Sequence, residues 1–412
     1  MMEQIKTDVL IIGGGAAGFS AAVAVSEMGL KAIVIEKNSY LGGKATGAEV
    51  GTVCGLYNFS KNKESVFAVK GFAKKFAIEL QSKSQTTPLS NIIGLHYLPY
   101  NIDVYKSIVN NYICKHNIHV YYNASLKKVG VDRDELKTAT IELNENEIQF
   151  TFNSIIDCSG ESIVSELAQL PIMEEDNYQA AAQVFTMENV EPISETQLGM
   201  VLIKELKLAI DNDILPPYFD RVYVVQGSVK NTCVSFKIGI PIEVTYKGKN
   251  YLDIKNKANE MIQELADFLI KHISVFKNAK LKSIAPEVGF RISKRPIGNY
   301  VLTVDDVLQC NKFEDAIAIG TWPIEKWGMD KRVQMTYFEY ESFYQISLRC
   351  LKSKYIKNLF FAGRSISADA EAIASARVMG ICFQTGYAAG VYASMVGDSE
   401  DLICKKIQFL QL

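Results

Sequence analysis

The sequence has few histidines and no closely spaced cysteine pair. Its 412 residues include four histidines and eight cysteines, and no two cysteines form a C-x-x-C motif. This argues against the usual iron–sulfur and structural zinc motifs and against a disulfide framework. His116 and His119 are three residues apart, but on a predicted helix-to-strand turn, so we expect no metal site. Scattered cysteines are most simply explained by a reducing cytoplasm, which is the localisation we expect.

The sequence also lacks an excess of charge of either sign. It has 44 basic and 46 acidic residues, a formal net charge of −2. Nucleic-acid binding normally shows as a clustered basic excess, so none is expected. The hydrophobic fraction of 48% and the charged fraction of 22% are those of an ordinary globular protein, and the length favours two packed units.

No long apolar run is free of interruption. Glycines break the run over residues 9–30, and no small-residue cleavage site follows it. The run over residues 378–396 contains a G-x-x-x-G motif at Gly386 and Gly390, which also occurs where membrane helices pair. Arg377 and Gln384 instead favour a helix buried in protein. We therefore expect no membrane span.

The first part of the chain has the pattern of a βαβ unit. Residues 7–12 and 31–36 are continuous apolar runs, typical of buried parallel strands, and an alanine-rich helix is predicted between them over residues 16–28. A helix over residues 63–81 and a strand within residues 147–157 are among the elements predicted to follow.

The pattern changes in the middle of the chain. Residues 171–284 mix short strands with an amphipathic helix over residues 254–272. A strand over residues 358–362 and one long helix over residues 375–396 then resume the earlier pattern. We predict a nucleotide-binding domain in two parts that enclose a mixed α+β substrate domain, with boundaries at 1–165, 166–350 and 351–412.

A G-x-G-x-x-G motif lies between the first predicted strand and the first predicted helix. Gly13 would allow the tight turn, Gly15 the close approach of a pyrophosphate, and Gly18 close packing of helix against strand. Glu36 ends the next strand, where a carboxylate would accept hydrogen bonds from a ribose. The strand–turn–helix context makes this motif a strong indication of dinucleotide binding.

Three further segments accompany this motif: LGGKATGAEVG at 41–51, IIDCSGE at 155–161, and the run from NLFFAGR through SARVMG at 358–390. Together the four segments resemble the FAD-dependent oxidoreductase family, relatives of the succinate dehydrogenase and fumarate reductase flavoproteins and of the flavin subunit of heterodisulfide reductase. The resemblance extends through residues 289–349 and leaves only about 171–281 unmatched. It implies an α/β Rossmann-like FAD domain of the glutathione-reductase type, with a substrate cavity over the flavin.

The resemblance also implies which residues bind the cofactor. No histidine follows Glu36 in the second segment, so we expect the FAD to be held non-covalently. The expected cofactor-binding residues are Gly13, Gly15, Ala16, Ala17, Gly18, Glu36, Lys37, Gly42, Gly43, Lys44, Ala45, Thr46, Ser125, Leu126, Ser159, Gly160, Gly363, Arg364, Arg377, Val378 and Met379.

Four residues are candidates for catalysis. Arg291 and Arg295 lie on a segment that resembles the family's cavity wall, where an arginine would clamp a substrate carboxylate; an interdomain salt bridge is the alternative. Cys54 is either a reactive thiol or a packed one. Arg377 would stabilise the reduced flavin from the start of the last helix, with Ser375 as its N-cap, or would bind an FAD phosphate instead. Trp322 and Trp327 are left open between substrate stacking and surface anchoring.

These features predict an FAD-dependent oxidoreductase that moves a hydride between a small molecule and the flavin. A flavin-dependent monooxygenase is one alternative. An electron-transfer or structural-FAD protein without a small-molecule substrate is another. Only one dinucleotide fingerprint is evident, which weighs against a tightly bound nicotinamide cofactor. The sequence identifies neither the electron acceptor nor the substrate, and it leaves oligomerisation open.

Overall fold

The fold is built around one parallel sheet. The computed structural model describes residues 3–176, 178–245, 250–328 and 333–412. The central sheet has five parallel strands, and the strand of the glycine motif is in the middle. Every residue of the three inner strands is buried, as expected for a sheet covered on both faces. In spatial order the strands are Leu359–Phe361, Ser154–Asp157, Val9–Ile12, Ala32–Ile35 and His119–Tyr121.

Two helices pack against each other unusually closely beside this sheet. They are Ala16–Glu27 and Met379–Ser394. A Cβ on Gly386 would lie 2.2 Å from the carbonyl oxygen of Ala17, and one on Gly390 would lie 2.4 Å from that of Ala21. The G-x-x-x-G motif therefore serves close packing within the protein. Within the described ranges, none of the helices combines the length and apolar character needed to cross a membrane.

The single long helix predicted from residue 375 is wrong. Two helices are present instead, Ala372–Ala376 and Met379–Ser394, with Arg377 and Val378 between them. Val378 is extended and is the N-cap of the second helix, whereas Ser375 lies inside the first. The Ser375 hydroxyl donates to the Trp322 carbonyl at 2.5 Å, so tertiary contacts determine its position.

A second, four-stranded sheet lies beside the central one. Its strands in order are Glu3–Lys6, Asn146–Thr151, Glu135–Leu143 and Ala124–Asp132, the last three forming an antiparallel meander. The strand predicted within 147–157 is thus two strands. Asn146–Thr151 belongs to the meander and Ser154–Asp157 to the central sheet.

The middle of the chain has its own apolar core. An antiparallel sheet in the order Val222–Val224, Val234–Gly239, Ala182–Glu188, Lys280–Ile284 packs with two helices, Glu195–Asp211 and Tyr251–His272. Fully buried side chains such as Phe185, Phe219 and Phe276 fill the space between them.

The remaining elements are short or connect these layers. The helix predicted over residues 63–81 begins later, because Gly71 has a φ of +53° and starts the helix Gly71–Ser84. The other α-helices are Lys44–Gly47, Ile102–Lys115, Ile163–Leu167, Val304–Leu308 and Glu400–Gln411. The 3-10 helices are Pro217–Arg221, Ser274–Phe276, Leu348–Leu351 and Gly363–Ser365. The other strands are Thr52–Cys54, Leu89–Ser90, His96–Pro99, Ile172–Met173, Arg295–Pro296, Ala316–Gly320, Ile324–Lys326, Gln334–Thr336 and Tyr344–Ser347.

Candidate functional site

Two glycines of the first motif are required by the backbone itself. Gly13 has a φ of +99°, and a Cβ there would lie 2.7 Å from the carbonyl oxygen of Cys158. A Cβ on Gly18 would lie 1.8 Å from the carbonyl oxygen of Gly13. These positions hold the strand, turn and helix together before any ligand is considered.

The middle glycine of the motif, Gly15, faces the second glycine-rich segment. Gly15 pairs with Gly42, and a Cβ on Gly43 would lie 2.9 Å from the Gly15 Cα. A Cβ on Gly15 would meet nothing nearer than the Gly43 Cα, at 3.7 Å. The fold therefore tolerates a Cβ on Gly15, and the absence of a side chain there fits a backbone cradle for phosphates at the helix N-terminus.

Glu36 is buried at the end of its strand, as a ribose-binding carboxylate would be. Its Oε2 accepts from the Gly14 amide at 2.7 Å and its Oε1 from the Asn38 amide at 2.9 Å. Burial raises the pKa of Glu36, and these two hydrogen bonds act in the opposite direction. The Ala124 amide donates to the Glu36 carbonyl at 3.0 Å, which places Ser125 and Leu126 close to it.

The third and fourth segments meet at Gly160. Gly160 has a φ of +73°, its amide donates to Ser365 Oγ at 2.9 Å, and a Cβ there would lie 2.5 Å from the Arg364 guanidinium. The preceding turn is held by Asp157, whose carboxylate accepts from the Ser159 amide at 3.0 Å and the Ser159 hydroxyl at 2.6 Å. Asp157 was not anticipated as part of this arrangement.

Glu287 is a second residue of the candidate site, after Asp157, that the sequence did not indicate. Its carboxylate accepts from Lys44 Nζ at 2.5 Å, and from Asn38 Nδ2 and Tyr40 Oη at 2.9 Å each. Burial opposes its ionisation, but Lys44 keeps the pKa of Glu287 below its usual range. Glu287 thus ties the glycine-rich segment after Glu36 to the segment that carries Arg291.

Three cations meet around one carboxylate at the other end of the candidate site. The cation cluster consists of Lys237, Arg291 and Arg377, and its carboxylate is Glu325. Arg377 Nη2 lies 3.6 Å from Glu325 Oε2. Burial opposes ionisation of Glu325, but the three cations hold its pKa below the usual range, so it is a carboxylate at neutral pH.

Cys54 lies beside this cluster, and its thiol is not activated. Burial raises the pKa of Cys54 to about 12, and the charge of Glu325 acts in the same direction. A thiol with that pKa is protonated at neutral pH, which favours a packed thiol over a nucleophile. Gly380, at the start of the last long helix, is close by, because a Cβ there would lie 2.8 Å from the Cys54 carbonyl oxygen.

Both tryptophans of the chain bind Glu325. Trp322 Nε1 donates to Glu325 Oε2 at 3.1 Å, and Trp327 Nε1 donates to Oε1 at 2.7 Å. The Arg291 guanidinium carbon lies 4.2 Å from the centre of the Trp327 ring, and the Lys237 ammonium nitrogen lies 4.4 Å from it. Neither tryptophan is a simple surface anchor.

Other predicted residues make different contacts. The Arg295 side chain is fully buried and donates to Glu175 Oε1 at 2.7 Å, the Ala368 carbonyl at 3.0 Å and the Ser293 carbonyl at 2.8 Å. These contacts give it a structural role. Lys37 lies 3.6 Å from Glu161 at the surface.

Several predicted cofactor residues lie at the ends of secondary-structure elements. Ala16 and Ala17 begin the first helix, Lys44 to Thr46 form a short helix, and Val378 and Met379 begin the last long helix. The amide of Gly363 donates to Thr385 Oγ1 at 3.1 Å.

Comparison with known proteins agrees with this geometry. The model of the family described as FAD dependent oxidoreductase matches residues 8–412. The chain belongs to the FAD-dependent oxidoreductase family. FAD is accordingly its cofactor.

Two curated relatives match over 43 residues each, 10% of this chain. One is a dihydrolipoyl dehydrogenase from Haemophilus influenzae, 44% identical, and the other a thiamine thiazole synthase from Aeropyrum pernix, 37% identical. The matches span 9% and 16% of the length of these relatives.

Two solved structures are similar over almost the whole chain. A geranylgeranyl bacteriochlorophyll reductase-like protein from Thermoplasma acidophilum has a TM-score of 0.51 at 13% identity, with 99% of this chain and 83% of that one covered. The OxyS anhydrotetracycline hydroxylase from Streptomyces rimosus has a TM-score of 0.50 at 9% identity, with 98% and 65% covered. At these identities the likeness shows the fold alone.

Proposed function

We propose that this protein transfers a hydride between a small molecule and non-covalently bound FAD. The observation that carries this proposal is the junction of two sets of residues. The glycine loops and Glu36 form one end of the site, and the cation cluster with Glu325 forms the other. Arg364 connects the two ends, because it lies against Gly160 and donates to the Phe290 carbonyl, next to Arg291, at 3.1 Å.

The cofactor residues predicted from the sequence remain our proposal for the FAD site. Gly15, Gly42 and Gly43 would receive the pyrophosphate, with Glu36 on the ribose and the start of the helix Met379–Ser394 towards the flavin. FAD supplies the hydride-accepting or hydride-donating chemistry. The protein's own residues bind and orient the substrate and exclude water.

Three of the four predicted catalytic residues belong to the second set. Arg291 and Arg377 present guanidinium groups, and Cys54 supplies a neutral, packed wall beside them. Glu325 is a positioning residue, because both of its oxygens are occupied by indole N–H groups and it faces Arg377. Arg295 is not part of this proposal, since its buried guanidinium donates from all three nitrogens to protein acceptors and pairs with Glu175.

We further propose that the fold is of the glutathione-reductase type and that residues 166–350 form an inserted substrate domain. The parallel sheet with its adjoining meander supports the first point. The separate apolar core around Phe185 and Phe236 supports the second. Lys237, on the sheet of that core, reaches the cation cluster and so connects the middle of the chain to the site.

The proposal is tested by following flavin reduction without oxygen. A panel of metabolites is added to the FAD-loaded protein, and loss of the oxidised flavin absorbance identifies a substrate. Re-oxidation is then measured with oxygen, a quinone, a disulfide and a nicotinamide. Acid precipitation in the same preparation should release intact FAD into the supernatant. Flavin that stays with the precipitated chain would contradict non-covalent binding.

The same experiment separates the alternatives. A monooxygenase would be reduced by a nicotinamide and would convert its substrate only when oxygen is admitted. An electron-transfer or structural-FAD protein would show no bleaching with any small molecule. Bleaching by one metabolite class with a stoichiometric oxidised product supports hydride transfer.

A further inference from the structure

The cation cluster has more positive than negative charge. Lys237, Arg291 and Arg377 contribute three positive charges, and Glu325 contributes one negative charge. Across residues 3–176, 178–245, 250–328 and 333–412, no carboxylate forms a salt bridge with Lys237 or Arg291, and Glu325 is the carboxylate that pairs with Arg377. Two positive charges are therefore left without a counter-ion among the described residues.

Lys237 and Arg291 are partly exposed, and the contacts that they make are weak compared with the cost of withdrawing their charges from water. Both cations lie over the Trp327 ring, and Arg291 Nη1 also donates to the Ala180 carbonyl. A cation–π contact contributes about 0.5–2 kcal/mol, whereas withdrawing a charge from water costs several kcal/mol. Two cations without counter-ions therefore destabilise the folded protein when no ligand is bound, and such an arrangement is typical of a binding site.

An unpartnered donor points to the same conclusion. Arg377 Nε is buried and has no hydrogen-bond partner, although Nη2 of the same side chain binds Glu325. Buried donors normally have acceptors, so an unused guanidinium N–H beside two cations without a salt bridge indicates that the cluster binds a further hydrogen-bond acceptor.

We propose that the small molecule oxidised or reduced by this protein carries a carboxylate or phosphate group, which binds between Lys237 and Arg291 at the face of Trp327. The statement that this ligand is the substrate rests on the proposed function. The statement that the site binds an anion does not depend on that function. Burial, the neighbouring Arg291 and, to a smaller extent, Arg377 lower the pKa of Lys237 to about 8, and the charge of Glu325 acts in the opposite direction. Below that pH Lys237 is charged, so anion affinity should fall as the pH rises through about 8.

The test uses the two tryptophans, which both bind Glu325 and so lie at this site. The FAD-loaded protein is titrated at constant ionic strength with propionate, with inorganic phosphate and with neutral propionamide, and tryptophan emission is recorded. One or both anions should change the emission saturably, and propionamide should not. Propionate and phosphate distinguish a carboxylate site from a phosphate site.

Variants assign the effect to the cluster. Lys237→Met and Arg291→Met should each weaken anion binding about ten-fold or more, the usual value of a charged hydrogen bond. Lys277→Met, an exposed lysine in the same part of the chain, should not change it. FAD content should stay at the wild-type level in all three. Lys237→Arg should retain binding but lose the weakening near pH 8.

Several results of these measurements would overturn the inference. They are equal effects of propionate and propionamide, unchanged anion affinity in both methionine variants, and loss of FAD from those variants, which would assign the cations to the cofactor. If the methionine variants do not fold, the comparison of propionate with propionamide and the pH dependence in the wild type still decide. Flavin bleaching by a neutral metabolite without anion binding would contradict this inference and leave the proposed function standing.

Discussion

Arg377 and Glu325 are joined twice: Arg377 Nη2 donates to the Glu325 carbonyl at 3.2 Å and lies 3.6 Å from the Glu325 carboxylate. This pair fixes the guanidinium just before the helix Met379–Ser394, whose N-terminus carries a partial positive charge. Helix and guanidinium would both favour negative charge on a reduced flavin placed there.

Arg377→Ala should therefore lower the two-electron midpoint potential of the bound FAD. An interaction of roughly 1–2 kcal/mol corresponds to a fall of about 20–45 mV. A dye-coupled reductive titration of wild type and variant measures it, and Arg377→Lys should restore part of the difference. Weakened FAD binding with a shift below about 10 mV would instead assign Arg377 to an FAD phosphate.

Gly15→Val should weaken FAD binding and leave the fold intact. A Cβ there has only the Gly43 Cα within 4 Å, at 3.7 Å, so we expect the side chain to reduce the free energy of FAD binding and not that of folding. Loss of one charged phosphate contact corresponds to roughly ten- to 150-fold in affinity. Circular dichroism and FAD occupancy after gel filtration measure the two effects separately.

Gly13→Ala is the matched comparison for that variant. Gly13 has a φ of +99° and its Cβ would lie 2.7 Å from the Cys158 carbonyl, so we expect a loss of about 1–3 kcal/mol in unfolding free energy even without FAD. Normal FAD occupancy in Gly15→Val would contradict the assignment of the cradle.

Gly386→Ala should destabilise the protein, because its Cβ would lie 2.2 Å from both the Ala17 carbonyl and Ser20 Oγ. Overpacking of this kind costs about 1–3 kcal/mol. Gly199→Ala is the control. It is also a mid-helix glycine, but nothing lies within 4 Å of its Cβ, and it should gain about 0.5–1 kcal/mol. Urea unfolding of both variants measures the difference, and equal effects would show that the close helix packing is not needed.

Cys54→Ser should keep substrate-driven flavin reduction within about ten-fold of wild type, a change of about 1.4 kcal/mol or less in the barrier. The reason is the pKa of about 12 that burial gives Cys54, which leaves almost no thiolate at neutral pH. Iodoacetamide at pH 8 should label the exposed Cys114 first, as mass spectrometry of peptides would show. Rapid labelling of Cys54 with loss of activity would restore a nucleophilic role.

The FAD cofactor could be predicted from the sequence because the determinants of its dinucleotide motif are local. Gly13, Gly15 and Gly18 lie at one strand–turn–helix junction, and Glu36 ends the adjacent strand, so a short segment determines both backbone shape and chemistry. The four glycine-containing segments could be assigned to FAD without knowing how they pack. Element boundaries could be predicted less well. The strands Asn146–Thr151 and Ser154–Asp157 follow each other closely in the sequence, and only sheet pairing separates them.

The substrate end of the site is different, because its members come from distant parts of the chain. Arg291 was expected near the substrate and Arg377 near the flavin, but nothing in the sequence around Lys237 or Glu325 indicated that they join them. Glu287 likewise binds Lys44 across 243 residues. Whether a charged side chain is a solvated surface group or a buried one depends on the elements that pack over it. The sequence alone determined the dinucleotide motif, because it is held by backbone sterics among neighbours. Only the tertiary structure decided which cations lie beside the two indoles, because burial and Coulomb interaction depend on distance in space.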